Sequence, residues 1–362
     1  MKKQFWTHKG GSLAADSDNR LLEVLQKAKL WKGKSLLTLK NHTPEEIKSL
    51  LNLAIELKKQ RQLGRHNDLL KGKNIVLLFE KTSTRTRCAF EVAMMQEGGN
   101  ATFLDMKDSQ MGKKESVEDT AKVLGRYYEG IEFRGYHQET VEMLAKHAGV
   151  PVWNGLTDEY HPTQILADWM TIMEKLDKPL EEVTFAYVGD ARNNMANSLM
   201  IGAAKMGMNF RAVSPASLAP DKTLMQEMQE VAMETGAKIQ WFENPIEGVK
   251  GADVIYTDVW VSMGEEDQFE ERIKRLMPYQ VNEFLMSKTG NPDTIFMHCL
   301  PAFHDTETII GKEVYDQHGI SELEVTDAVF RSEQSVVFDE AENRMHTIKA
   351  MLVATMGSSG HF

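Results

Sequence analysis

The sequence predicts an α/β protein of two doubly wound domains with parallel sheets, linked by helices. Three observations carry this. Short apolar segments alternate with longer segments of helical spacing, which is the pattern of a parallel sheet. The first of them, KNIVLLFE, holds a continuous apolar run from Ile75 to Phe79, suited to a strand buried on both faces. The alternation then restarts after a long helical stretch near residues 165–180, so it counts two sheets. A length of 362 residues accommodates two such domains.

The elements follow in order. After about Leu36 the chain settles into alternation, with the strand KNIVLLFE first. CAFEVAMMQE has helical spacing and stops at Gly98-Gly99. NATFLDM is a strand, ESVEDTAKVLGRYY a helix, GIEFRG a strand, ETVEMLAKHAG a helix and VPVWNG a strand. HPTQILADWMTIMEKL is a long helix opening after Pro162. VTFAYVGD, NFRAVSP, KIQWFEN, DVIYTDV and TIFMHCLP are strands of the second set, and SEQSVVFDEAENRMHTIKAMLVATM closes the chain as one helix. The polar opening MKKQFWTHKGGSLAADSDNR is expected to be a mobile extension covering residues 1–34, and the terminal GSSGHF to be disordered. Neither a signal peptide nor a transit peptide is expected from that opening.

Composition narrows the function. A 42% hydrophobic and 26% charged content is ordinary for a soluble globular chain, and no apolar run reaches the ~18 residues of a membrane span. A net charge of −11 argues against nucleic acid as partner. Two distant cysteines, Cys88 and Cys299, supply neither a disulfide framework nor a zinc spacing, so a reducing, cytoplasmic setting and no metal are expected.

Against this acidic background, Lys81 to Arg87 reads KTSTRTR, every side chain basic or hydroxyl-bearing. The stretch follows one strand and opens the next helix, where open α/β sheets bind ligands. Free N–H groups at a helix start, the hydroxyls of Ser83, Thr84 and Thr86, and the guanidinium fork of Arg85 make an anion cradle without glycines. It is not a Walker A loop. A capped helix with exposed arginines accounts for one hydroxyl, not four among three bases. VGDARNNMANS has Gly189 without its partner glycines, which argues against a dinucleotide and a nicotinamide dehydrogenase.

Ser83-Thr84-Arg85-Thr86 followed by Arg87 resembles the carbamoyl-phosphate motif of the aspartate/ornithine carbamoyltransferase family. Ser109-Gln110-Met111-Gly112, His161-Pro162-Thr163-Gln164, Asp258-Val259-Trp260-Val261-Ser262-Met263-Gly264 and His298-Cys299-Leu300-Pro301 match it in the same order, from about residue 35 to 356. The resemblance implies transfer of a carbamoyl group from carbamoyl phosphate to an amine, with no cofactor. It also implies a donor domain of residues 35–165 plus 340–357, an acceptor domain of 166–339, and a terminal helix packed back on the first domain.

By that resemblance Ser83, Thr84, Arg85, Thr86, Gln110, Arg134, His161, Gln164, Cys299, Leu300 and Arg344 bind carbamoyl phosphate. Asn194, Asp258, Ser262 and Met263 bind the amino acid. Arg134, His161, Cys299 and Asp258 carry the chemistry. Taken singly, Arg134 reads more often as a surface ion pair, His161 as a loop residue, Asp258 as a turn residue and Cys299 as inert packing; Asn194 reads equally as part of an Asn-rich turn, and Arg344 as the partner of Glu340 one turn earlier. A low thiol pKa, giving a Cys299 thiolate beside the δ-ammonium, is the sharper expectation. The Asp258-to-Gly264 motif favours L-ornithine, with L-citrulline and phosphate as products, in arginine biosynthesis or the arginine deiminase pathway. Putrescine is the alternative acceptor, although a diamine leaves Ser262-Met263-Gly264 no carboxylate to hold. A non-catalytic assembly subunit is the reading from another class, opposed by the intact set of site residues. The Gln110 loop is expected to reach a neighbouring subunit's site in a homotrimer or a multiple of trimers, with the phosphate donor binding first.

Overall fold

The computed structural model describes residues 10–260 and 269–357. Its first half holds β1 (Asn74–Phe79), β2 (Asn100–Asp105), β3 (Gly130–Arg134) and β4 (Val152–Leu156), all parallel, in the order β2-β1-β3-β4. Its second half holds β5 (Thr184–Val188), β6 (Asn209–Val213), β7 (Lys238–Phe242), β8 (Val254–Thr257) and β9 (Ile295–His298), again parallel, in the order β7-β6-β5-β8-β9. β1, β5 and β8 are apolar and buried on both faces, as strands covered by helices on each side must be.

The helices before the second sheet are α1 (Gly10–Ala28), α2 (Pro44–Gln62), α3 (Thr84–Gln96), α4 (Val117–Tyr127), α5 (Gln138–Ala148) and α6 (Pro162–Lys175). Within and after it come α7 (Asn194–Met206), α8 (Lys222–Thr235), α9 (Pro245–Val249), α10 (Phe269–Leu276), α11 (Glu283–Ser287), α12 (Ile309–His318), α13 (Asp327–Phe330) and α14 (Val337–Met356). α14 is nearly all buried, and it packs on α2, α3 and α6 while its start touches β9. It therefore returns the chain to the first sheet's helices, and α6 leads across to the second sheet. No helix among the described residues is long and apolar enough to cross a membrane.

One expectation is corrected. The part of residues 1–34 that is described is not a loose extension. Leu21, Val24, Leu25 and Ala28 recur at helical spacing and are buried with Trp31. Trp31 donates its Nε1–H to the Glu46 carbonyl at 2.8 Å and stacks on His42. The polar residues between these positions are what made the segment read as extension. Residues 358–362 lie outside the described residues, as does the expectation made for them.

Sheet order positions the site. In the first sheet neighbouring strands change direction of progression between β1 and β3; in the second they do so between β5 and β8. Crossovers on opposite sides leave a crevice at the carboxyl ends of those strand pairs. Phe79 and Arg134 end the first pair, Val188 and Thr257 the second.

Candidate active site

The basic turn after β1 forms the first wall. Ser83 is the N-cap of α3, and its Oγ accepts from Thr86 N–H at 3.1 Å. Thr84 is exposed, while Thr86 is fully buried. Arg87 turns outward to Glu91 and covers the Phe103 ring. Arg85 turns inward, and its NH2 donates to the Leu300 carbonyl at 2.6 Å.

Two further arginines converge on Thr86. Arg344 NH2 donates to Thr86 Oγ1 at 2.7 Å, and Arg134 NH1 lies 3.4 Å from the same oxygen. Arg134 ends β3 at a register shift with β4, where Phe133 pairs with Asn154 and Arg134 with Leu156. Arg344 thus pairs with the first domain rather than with Glu340. The Nε atoms of Arg85, Arg134 and Arg344 are all buried without a partner. Burial and mutual repulsion push Arg134 down to about 10 and Arg344 to about 9. Both remain guanidinium ions at neutral pH, so the depression measures the cost of gathering like charges in a dry place. Such a cluster is complementary to a compact dianion.

His161 precedes Pro162 at the start of α6, with its backbone N–H donating to Ser198 Oγ at 2.8 Å. Burial first, then the charges of Arg344, Arg134 and Arg85, hold its pKa well below the usual value. The imidazole is therefore neutral, able to donate from one nitrogen and accept at the other. Gln164 lies on the same helix; its Nε2 donates to Asp168 at 2.8 Å and Glu340 at 2.9 Å, and its buried Oε1 has no partner.

The second domain supplies the opposite wall. Asp258 follows β8, half-buried, and Oδ1 accepts from Val259 N–H at 2.8 Å and from the Cys299 thiol at 3.2 Å. Asn193, the N-cap of α7, reaches Asp258 Oδ2 at 3.4 Å and the Tyr187 hydroxyl at 2.8 Å. Burial pushes the Cys299 thiol well up, and Asp258 and Glu340 push it further. The geometry favours a thiol over the expected thiolate: Cys299 donates to Asp258, although the charges of Arg85, Arg134 and Arg344 also act on it. His298 Nδ1 accepts from Leu300 N–H at 2.9 Å, which leaves Nε2 to carry the proton and donate to Glu324. Leu300, at φ 60°, is a non-glycine residue in the left-handed region, and its carbonyl faces Arg85. Donor atoms of Asp258, His298 and Cys299 lie within 4.8 Å of one another, a ligand-like spacing, yet the thiol proton and both imidazole nitrogens are engaged as described.

Other expected residues sit differently. Asn194 uses its Nδ2 on the Thr157 carbonyl at 2.7 Å, tying α7 to the end of the first sheet. Gln110 is exposed, and among the described residues nothing ties it to the arginine cluster. Ser262 and Met263 lie outside the described residues. The sequence reading missed Asn193, Asp168, Glu340 and Glu132. Glu132 is wholly buried two positions before Arg134, with neither oxygen partnered, and Gly155 leaves room for it, since a Cβ there would meet Oε1 at 1.8 Å. Its signal was available: an acid on the same strand face as Arg134.

Residues 34–174 match the carbamoyl-P-binding domain of aspartate/ornithine carbamoyltransferase, and residues 181–355 the Asp/Orn-binding domain. A catabolic ornithine carbamoyltransferase of Clostridium perfringens is 62% identical over 327 residues, which cover 90% of this chain and 98% of that protein. Ornithine carbamoyltransferase 1, catabolic, of Staphylococcus epidermidis is 58% identical over the same coverage. The solved ornithine carbamoyltransferase from Pyrococcus furiosus superposes with a TM-score of 0.82 at 44% identity, covering 90% of this chain and 97% of that one. The chain belongs to the aspartate/ornithine carbamoyltransferase family.

Proposed function

We propose that the crevice joins carbamoyl phosphate to L-ornithine, releasing L-citrulline and phosphate. Arg85, Arg134 and Arg344, three guanidiniums with buried, unpartnered Nε groups beside an Asp258–Cys299 pair, carry this reading. The chain is an ornithine carbamoyltransferase, as its relatives' identities of 58% to 62% support.

The donor phosphate occupies the start of α3, held by Ser83, Thr84, Arg85 and the amides of that turn, with Arg134 between phosphate and carbonyl. Gln110 joins from a neighbouring subunit of a homotrimer. His161, Arg134 and Arg344 face the carbonyl oxygen, where negative charge grows as the amine attacks. The carbamoyl NH2 donates to the Leu300 carbonyl and to Gln164 Oε1. Asp258 and the Cys299 sulfur orient the δ-amine, whose ammonium form, with a pKa near ~10.4, must lose a proton before attack. The C–N bond forms, the C–O bond to phosphate breaks, and phosphate leaves with the electron pair and takes up the proton that the attacking nitrogen sheds. Asn194 meets the α-carboxylate after releasing Thr157, and Ser262 and Met263 hold the α-amino end. Residues 35–165 with 340–357 bind the donor, and 166–339 bring the acceptor. We place the enzyme in the cytoplasm and, on the catabolic designation of its relatives from Clostridium perfringens and Staphylococcus epidermidis, in arginine breakdown.

The test is citrulline formation by the purified chain from carbamoyl phosphate with ornithine, against putrescine, together with initial rates in both directions. Turnover of putrescine alone, or of neither amine, overturns the assignment. A citrulline-cleaving direction with no measurable rate removes the catabolic part.

A further inference from the structure

Behind the reacting groups two acids lie closer together than their charges allow. Asp168 on α6 and Glu340 in the first turn of α14 are both completely buried. One nitrogen, Gln164 Nε2, donates to Asp168 Oδ1 at 2.8 Å and to Glu340 Oε1 at 2.9 Å, so both oxygens crowd the same donor. Their remaining surroundings differ. Glu340 also accepts from the Tyr256 hydroxyl at 3.2 Å on Oε1 and from His298 N–H at 3.0 Å on Oε2. Asp168 Oδ2 is buried with no partner at all. Three donors suit Glu340 to the anion; an orphan oxygen suits Asp168 to the acid, whose O–H then has an acceptor beside it.

We propose that Asp168 and Glu340 share a single proton resident on Asp168, and that the Glu340 anion fixed in this way pins the end of β9 and so sets the position of Cys299. The pin is the His298 N–H bond, one residue before the thiol that donates to Asp258. Both acids are positioning residues. The charged and titratable groups facing them are Arg344 from α14, Tyr256 from β8, and His298 and Cys299 at the end of β9. Burial and mutual repulsion raise both carboxyls, Glu340 to about 7 and Asp168 well above its usual range, in agreement with the geometry. The functional half of the proposal rests on the reaction assigned above; the shared proton does not.

Two readouts separate them. Infrared spectra of the wild-type chain carrying 13C in its aspartate side-chain carboxyls should show an isotope-shifted protonated-acid band at neutral pH. Asp168→Asn should remove that band. Its amide can still donate to Glu340, so about a third or more of kcat should survive, whereas Asp168→Ala should lose about tenfold or more. An absent wild-type band, or one unchanged in Asp168→Asn, overturns the shared proton whatever the activity. Equal losses in the Asn and Ala variants overturn the positioning role. A wild-type chain that makes no citrulline, yet shows the band, faults the reaction and not the pair.

Discussion

At the scale of single residues, the chemistry depends on charges that burial has made costly. Arg344 is buried within the field of Arg134 and Arg85, and among the described residues its guanidinium bonds the Thr86 Oγ1 hydroxyl. Its planar fork, rather than its charge alone, is what matches an oxygen of a carbamoyl or phosphate group. Arg344→Lys should therefore lower kcat/KM for carbamoyl phosphate by about 100-fold while leaving the melting temperature near that of wild type. Steady-state kinetics on a variant of confirmed fold checks it, and a loss under about threefold removes Arg344 from the cradle. Cys299 makes a second case. Its folded pKa is raised, so at any given pH less of it is thiolate than for a free cysteine. Alkylation of Cys299, followed by mass spectrometry against the exposed Cys88, should be slow at neutral pH and accelerate only above the ordinary thiol range. Rapid labelling near pH 7 contradicts the acid-lined thiol described here.

At the scale of elements, close packing sets the geometry that these residues inherit. α4 and α5 pack over the first sheet, and Gly125 is where their backbones meet. A Cβ on Gly125 would lie 1.8 Å from the Ala148 carbonyl oxygen, which is backbone at the end of α5 and cannot rotate aside. Gly125→Ala should destabilise the chain by about 1–3 kcal/mol, read as a lower denaturation midpoint with an unchanged slope. A neutral result would show that the helices separate freely. Elements of this kind were legible in the sequence because both sheets are parallel and buried, so β1, β5 and β8 stand out as apolar runs with helices between. The basic turn was legible too, since hydroxyls and bases at a strand-to-helix junction have few other uses. α1 was not, because Leu21, Val24, Leu25 and Ala28 are dispersed among polar residues and gain meaning only against α2 and Trp31. Asp168 and Glu340 were unreadable for a related reason, whereas Glu132 was marked only by sharing a strand face with Arg134. An acid in a helix or strand looks solvent-facing until the fold closes over it. The same blindness produced the thiolate expectation for Cys299, whose acidic neighbours come from positions 41 residues before and 41 residues after it, Asp258 and Glu340.

At the scale of the whole molecule, the two domains carry unlike charges toward each other. The first presents Arg85, Arg134 and Arg344; the second presents Asp258 and the thiol. Ornithine's δ-ammonium entering the crevice would meet three guanidiniums, with Asp258 the acid that faces them from the second domain among the described residues. Once a dianion lies among the arginines, the same ammonium is attracted from both walls. The donor should thus bind first and strengthen the acceptor's binding, and by linkage the acceptor should strengthen the donor's. Arg85 bonds the Leu300 carbonyl, and Asn194 the Thr157 carbonyl, so each wall holds a group of the other. A closing motion needs to exchange only these short contacts for substrate ones. Calorimetry should find ornithine binding about tenfold or more weaker to the free chain than to the chain saturated with phosphate. Phosphate alone at about 100 times its Kd should raise stability by about 2.7 kcal/mol, through binding to the folded state only, and Arg344→Lys should blunt that gain. Product-inhibition patterns should show phosphate competing with carbamoyl phosphate and citrulline not doing so. Equal ornithine affinity with and without phosphate would mean that the guanidinium cluster does not govern the order, and that closure begins from the acceptor's side.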